Sequence, residues 1–506
     1  MAADALVLGI DVGTSGTKVL VVDSDGTVLT DALATYPVST PKAGYSEQEP
    51  EDWFTATISA IKEVLAHAAV DPSRVIAIGL TGQMHGLVAL DAKLKIIRPA
   101  ILWNDQRSAP QCEEVTRTLG LDRLIRHTGN QMLPGFTAPK LLWMREFEPE
   151  AYARVAHVLL PKDYVRFRLG SELAMDVSDA SGTSVFDCSK RTWSTEILSA
   201  LDLPTSWWPE AHESCVVVDS LNAEVAAETG LSPETVLVAG AGDQAASAVG
   251  TGIITEGIVS ATLGTSGVVF AASKAWRTAP EGALHAFCHA VPNTWHLMGV
   301  MLSAAGSYDW FVRTIVPDLA AEAESHGKRP FEYLDERAAQ TEPGAEGLFF
   351  LPYLSGERTP HADPHARGCF IGLTARHTRD HMTRAVLEGV TYGMRDCLEL
   401  IRASGVDPNV VRLSGGGAKG AFWRQLCADI FGCPTMTTTT TEGTAYGAAL
   451  LAGVGGQIWA TVPDACSAVV REVDRTEPGV TSAHYDQLHK RFATLYPTLR
   501  PWWHSS

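Results

Sequence analysis

The chain opens on a short apolar run, Leu6 to Ile10, turns at Gly13, Ser15 and Gly16, and returns through Lys18 to Val22 before an Asp25-Gly26 turn. Two short apolar segments joined by a glycine loop predict a β-hairpin. Half a chain later the pattern recurs: Ile258 to Thr262 reads as a strand, Leu263-Gly264-Thr265-Ser266-Gly267 as the loop, and Val268 to Ala271 as the returning strand. The tetrapeptide Gly-Thr-Ser-Gly occupies both loops, starting at Gly13 and at Gly264, and this repetition predicts two lobes of similar topology. Elsewhere apolar residues recur every three or four positions, at Phe54, Ile58, Ile61 and Leu65 after Pro50-Glu51-Asp52, and at Met382, Val386, Val390, Met394 and Cys397. These are helix patterns, and their alternation with strands through both halves predicts an α/β fold. Gly250-Thr-Gly252 and Thr255-Glu-Gly257 bracket a short apolar pair, which places the lobe boundary there and divides the chain into residues 1–250 and 251–506. With no low-complexity linker, the lobes are expected to pack closely.

Composition narrows the function class. A chain of 506 residues exceeds a single ordinary core, at roughly 150 residues per domain, which supports two large units. Hydrophobic residues at 45% and charged residues at 19% describe a packed globular protein. The net charge of -18, without any Lys/Arg-rich run, repels a phosphate backbone and argues against nucleic acid as a partner. No basic segment followed by a long apolar stretch opens the chain, and no apolar run approaches the ~20 residues that span a bilayer. A cytoplasmic protein without membrane association is expected. The nine cysteines are scattered, with no CxxC pair, and read as reduced thiols rather than metal ligands or disulfides.

The glycine loops are where chemistry is expected. Nucleotide phosphates are best held by backbone N–H groups and hydroxyls in a loop without bulky side chains, and Gly13, Thr14, Ser15, Gly16, Thr17 and Lys18 meet that need. A carboxylate beside such a loop is where Mg²⁺ is usefully held, which makes Asp11 the candidate metal residue. Gly264 and Thr265 would present further amides and hydroxyls from the opposing lobe, so that two facing loops imply a cleft. A third cluster, Gly415, Gly416 and Gly417, follows the apolar Val410-Val411 and precedes a helix pattern from near Ala421, and it could carry the adenosine side. Neither a GxxxxGK[ST] loop nor the HRD and DFG pattern of protein kinases occurs.

Five further segments carry a resemblance to a known family: Gly82-Gln83-Met84-His85-Gly86, Ile101-Leu102-Trp103-Asn104-Asp105, Pro134 to Lys140, Leu160-Pro161-Lys162-Asp163-Tyr164, and Leu354 to His361. With the glycine loops, they make the chain resemble the FGGY family of carbohydrate kinases over nearly its whole length. The resemblance implies two actin-like lobes with a catalytic cleft between them and ATP-dependent phosphorylation of a sugar hydroxyl. It also implies an aspartate general base just before the lobe boundary, which here is Asp243. Met84 and His85 then match the sugar-contacting pair of the D-xylulose-phosphorylating members, with Gln244, Trp103 and Asp105 as further sugar-site candidates. Gln244 is where the sequence departs from those members, resembling instead the Asp-Gln pair of glycerol-phosphorylating ones. D-xylulose is the sugar implied, with ribulose or glycerol as alternatives inside the family and an actin-like or Hsp70-like ATPase module as the alternative outside it. Glu357-Arg358 is expected to be a structural ion pair. The family's frequent dimers raise the expectation of a homodimer, which the residue pattern itself does not reveal. Lobe closure around the sugar, hinged near Gly250 to Gly257, would exclude water as a competing nucleophile.

Overall fold

The computed structural model describes residues 4–439 and 443–505. The two predicted hairpins are present, and each seeds a seven-stranded sheet. In the first sheet, β1 (Leu6–Val12), β2 (Gly16–Asp23) and β3 (Val28–Thr35) run antiparallel in succession. On the other side of β1 lies β4 (Val75–Gly82), parallel to it and followed by parallel β6 (Val236–Val238) and antiparallel β5 (Val217–Ser220). The short β7 (Ala241–Gly242) also pairs with β4.

The second sheet repeats this order. There β8 (Ile258–Leu263) and β9 (Gly267–Ser273) form the hairpin, with β10 (His285–Cys288) and β11 (Trp295–Met301) continuing it antiparallel. On the far side of β8 come β12 (Val410–Ser414) and β13 (Thr435–Thr438), both parallel, and then antiparallel β14 (Glu472–Thr476). Two sheets with the same sequence of pairings are what the repeated tetrapeptide predicted.

Helices cover the faces where the apolar periodicity placed them. Helix α1 (Pro50–Leu65) starts with Pro50 in its first turn, where a missing N–H costs nothing, and carries Glu51 and Asp52 at the positive end of its dipole. Its buried stripe is Trp53, Ala60, Ile61 and Val64, whereas Phe54 and Leu65 are only partly covered. Helix α2 (Asp243–Gly250) follows β7 directly. Helix α3 (Arg379–Ala403) buries Val386, Val390, Met394 and Cys397 in the core of the second sheet.

A further helix, α4 (Gly443–Gly455), lies late in the chain yet packs on β1 and β4 of the first sheet. Its approach is close enough that a Cβ on Gly9 would stand 2.0 Å from the Ala445 carbonyl oxygen, and one on Gly79 2.1 Å from that of Ala448. Only glycine fits there. In turn α2 packs Ala248 with Phe270 and Met298 of the second sheet. Each half thus lends a helix to the other, and α2 and α4 meet between the sheets through a core containing Ala246, Val249, Ala445 and Ala449.

Candidate active site

The register of the first sheet explains why distant segments converge. Val12, Gly82 and Gly242 stand side by side at the ends of the neighbouring strands β1, β4 and β7. The chain therefore leaves all three strands at one edge, delivering the first glycine loop, Met84-His85 and Asp243 to the same place. Carboxyl ends of parallel strands are the usual ligand edge of an α/β sheet. In the second sheet Thr262 faces Ser414 across β8 and β12, so the loops beginning at Gly264 and Gly415 leave together in the same way.

Side chains hold the first loop. Its Gly13 carbonyl accepts from the Tyr36 hydroxyl at 2.7 Å and from Gln83 Nε2 at 3.4 Å, and the Thr14 carbonyl accepts from Gln48 Nε2 at 2.8 Å. Thr14 Oγ1 donates to Gln83 Oε1 at 3.2 Å and accepts from Trp103 Nε1 at 3.0 Å. With the carbonyls drawn into the protein, the N–H groups of Thr14 and Ser15 have no acceptor among the described residues and remain available to an anion. The second loop is held by main chain instead: the Gly264 carbonyl accepts from Ala305 N–H at 2.8 Å, and that of Thr265 from Ala304 and Gly306 N–H at 2.9 and 3.2 Å, at the start of helix Ala305–Thr314.

Asp11, near the end of β1, accepts a hydrogen bond from Thr444 Oγ1 at 2.6 Å, across from the first turn of α4. Burial raises its pKa above the usual carboxylate range, against the opposing pull of Thr444 and Lys18. Asp243 is the first residue of α2, and its pKa is pushed up to about 7, chiefly by burial and further by the charge of Asp11; hydrogen bonds from Gln244 work the other way. A carboxylate that is desolvated and repelled by a neighbouring one, as Asp11 is by Asp243, would be stabilised by a cation. No cluster of three acidic, His or Cys side chains among the described residues could hold a metal alone. That combination fits Mg²⁺, which takes one or two carboxylates and completes its shell with phosphate oxygens and water.

Met84 is buried and packs against Gly242, immediately before Asp243. His85 has a left-handed backbone (φ 69°) that is strained for a residue with a side chain, and it is fixed from three directions. Its Nδ1 lies 2.9 Å from the Gly182 carbonyl, and its own carbonyl accepts from Thr137 Oγ1 at 3.1 Å and Lys140 Nζ at 2.8 Å. Burial lowers its pKa to about 3, so the ring is neutral; with Nδ1 donating to Gly182, Nε2 is an acceptor. Phe136 lies against the ring at 4.6 Å, and with Phe287 and Leu133 it joins Met84 in a small apolar wall.

A cavity of about 920 Å³ opens beside the second loop, lined by Gly264, Thr265, Tyr308, Phe331, Asp335, Gly416, Gly417, Phe422 and Trp423 among others. Its size suits a nucleoside. Gly415 supplies the turn into it with φ 84° rather than lining it.

Four expectations are corrected by this geometry. Thr17 is fully buried, its hydroxyl 3.3 Å from that of Tyr36, so it lies beneath the first loop rather than in it. Lys18 follows on β2, opposite Asp11, and pairs with Asp31 at 3.5 Å. Asp105 is also fully buried, with its carboxylate taken up by Ser46 N–H at 2.6 Å and by the Arg107 guanidinium at 2.7 Å, which makes it scaffolding. Glu357 forms no ion pair with Arg358; it accepts from the N–H groups of Leu302 and Arg358, and burial raises its pKa to about 8. Trp103 is 42% exposed, and its Nε1 donates to Thr14 Oγ1. Residues that sequence reasoning missed are Tyr36, Gln48, Gln83 as a loop brace, Thr444, Phe136 and Phe287. Of these only Gln83 and Phe136 stood in recognisable segments.

With this geometry in place, the chain belongs to the FGGY family of carbohydrate kinases. The model of the family's N-terminal domain matches residues 6–250 and that of its C-terminal domain residues 259–456. The chain is similar to the xylulose kinase of Escherichia coli (strain K12), at 42% identity with 98% of this chain and 99% of that one covered. Among solved structures it is similar to a xyloylose kinase from Brucella ovis, with a TM-score of 0.91 and 38% identity over 98% of this chain and 99% of that one. It is likewise similar to the xylulose kinase from Rhodospirillum rubrum, with a TM-score of 0.92 and 30% identity over 99% and 100% of the two chains.

Proposed function

We propose that this protein transfers the γ-phosphoryl group of ATP to the terminal hydroxyl of D-xylulose, giving D-xylulose 5-phosphate for xylose catabolism. The observation that carries the reading is Asp243, a desolvated carboxyl with a pKa near 7 at the edge where the first loop and Met84-His85 converge. A sugar alcohol is a poor nucleophile until its proton can leave as the oxygen attacks phosphorus in line. Asp243 accepts that proton, and Gln244 steadies its carboxylate form. The sugar lies against Met84, Phe136 and Phe287, with His85 Nε2 accepting from one of its hydroxyls and Trp103 at the rim. Thr14, Ser15, Gly264 and Thr265 hold the phosphates, and the adenosine occupies the cavity at Gly416 and Gly417. Asp11 is the residue that would hold Mg²⁺, which when bound neutralises phosphate charge. In this division residues 1–250 carry the sugar site and the first phosphate loop, residues 251–506 carry the second phosphate loop and the adenosine cavity, and Phe287 reaches the sugar wall from the second half. No helix among the described residues is long and apolar enough to cross a membrane.

The test is ADP release from MgATP with and without D-xylulose, run beside D-ribulose, L-ribulose and glycerol. Strong stimulation by D-xylulose alone, lost in Asp243→Ala, supports the reading. A larger response to another polyol moves the assignment to that sugar, and sugar-independent turnover that survives Asp243→Ala refutes it.

A further inference from the structure

The short helix Val177–Ser181 lies beneath the site and hydrogen-bonds three of the segments that meet there. Ser178 Oγ accepts from the N–H of Gly242, the residue before Asp243, at 3.0 Å. The Gly182 carbonyl, at the helix end, is the partner of His85 Nδ1, and Ser181 Oγ accepts from Cys288 N–H of β10 at 3.0 Å. The helix is itself anchored by charge. Ser178 Oγ donates to Asp176 at 2.5 Å, and Asp176 lies 2.9 Å from Lys162 Nζ, which also meets Asp163 at 2.5 Å and Asp179 at 3.2 Å. Lys162 and all three carboxylates are fully buried. An ionic cluster this far from water is a poor source of stability but a stiff one, because displacing any member strands a charge.

From this chain of contacts we infer that Ser178 is a positioning residue for the phosphoryl-transfer step: anchored by the Lys162 cluster, it fixes the Gly242 main chain and thereby aims Asp243 at the sugar hydroxyl. A hydroxyl that donates to a carboxylate is a strengthened acceptor toward the opposite neighbour, which suits it to hold an N–H in one place. Gly182 does the corresponding service for His85, and a Cβ there would stand 2.3 Å from the His85 ring nitrogen.

The inference rests on Asp243 as base, and a double-mutant cycle separates the two. Ser178→Ala is expected to lower kcat with D-xylulose by roughly 10- to 100-fold and, through the unmet Gly242 N–H, to lower the melting midpoint, while leaving the KM for ATP near native, since a misplaced base costs rate rather than nucleotide binding. In an Asp243→Asn background the same substitution should change kcat by less than about twofold, because there is no base left to aim. Ser178→Thr, which keeps the hydroxyl, should recover most of the loss. Gly182→Ala should raise the KM for D-xylulose and not that for ATP. Native kcat in Ser178→Ala, or an equal loss in both backgrounds, overturns the positioning role while leaving the base in place. Near-native kcat in Asp243→Asn alone overturns both.

Discussion

The two Gly-Thr-Ser-Gly loops sit at equivalent places in two sheets of equivalent pairing, yet they are built differently. The first has its carbonyls held by Tyr36, Gln48 and Gln83; the second has its carbonyls held by the N–H groups of residues 304–306. Two positions before the first glycine the first loop has Asp11, and the second has Thr262, whose hydroxyl lies 2.9 Å from that of Ser414. A common frame has thus been specialised. One loop carries the charge and depends on individual side chains, whereas the other is neutral and is held by a helix start that no single side-chain deletion loosens.

The sharpest way to break the comparison is at that paired position. Asp11→Asn removes the acid that fits Mg²⁺ and should lower kcat by about 100-fold or more, whereas Thr262→Val removes one neutral hydrogen bond and should change it by less than about threefold. Steady-state rates with MgATP and D-xylulose decide this. Comparable losses at both positions would mean that the loops share the charge-handling role.

On the first loop's side the charge of Asp11 adds to burial in raising the pKa of the proposed base, so the pH dependence of the chemical step should come from that side. With its pKa near 7, Asp243 loses base function as pH falls below that value, and kcat/KM in the free enzyme should drop on the acid side of about 7. The stability effect runs the opposite way. A folded-state pKa above the ordinary 3.8 means that the folded chain binds the extra proton, so stability is fully present below about 3.8 and declines as pH rises to about 7. Asp243→Asn removes that penalty and should be more stable than the native protein at pH 8 by roughly 4 kcal/mol, with the gain fading toward pH 4. Denaturant melts at the two pH values measure it.

How far the sequence carried follows from the same contrast. The hairpins, the long apolar helix and the repeated tetrapeptide are local patterns with fixed periods, and they gave both sheets' centres. The exchange of α2 and α4 between sheets was not legible, because Gly9, Gly79 and the alanines of α4 are an ordinary apolar strand and helix until their close approach is seen. At the site, Asp11, Asp243, Met84 and His85 stood in segments whose residue types or family resemblance marked them. Thr444 and Gln48 carry no such mark, since each matters through a contact with a residue far away in sequence. Thr17 and Asp105 erred for the complementary reason: sequence shows a polar residue near a motif and cannot show which way it points.

Bracing gives the next test. Gln83→Leu removes the donor to Gly13 and the acceptor for Thr14, leaving buried polar partners unmet, and should lower kcat/KM for ATP by about tenfold. The second loop answers only to main-chain pressure: a Cβ at Gly306 would stand 2.8 Å from the Thr265 carbonyl, and Gly306→Ala should raise the KM for ATP by a similar factor. If Gln83→Leu leaves ATP kinetics unchanged, side-chain bracing of the first loop is dispensable and the contrast loses its functional meaning.

The smallest expected effect isolates one bond of that brace. Tyr36 is nearly fully buried, and its hydroxyl donates to the Gly13 carbonyl at 2.7 Å while lying 3.3 Å from Thr17 Oγ1. Tyr36→Phe keeps the ring in place and deletes only the hydroxyl, so it should cost about 1 kcal/mol of stability and change the KM for ATP by roughly two- to threefold. Because Gln83 also reaches the Gly13 carbonyl, the loop keeps one donor, and Tyr36→Phe combined with Gln83→Leu should lose more than the sum of the single effects. Strict additivity would instead mean that the two donors hold the loop independently, and that Gly13 is fixed chiefly by its own turn bond to Gly16.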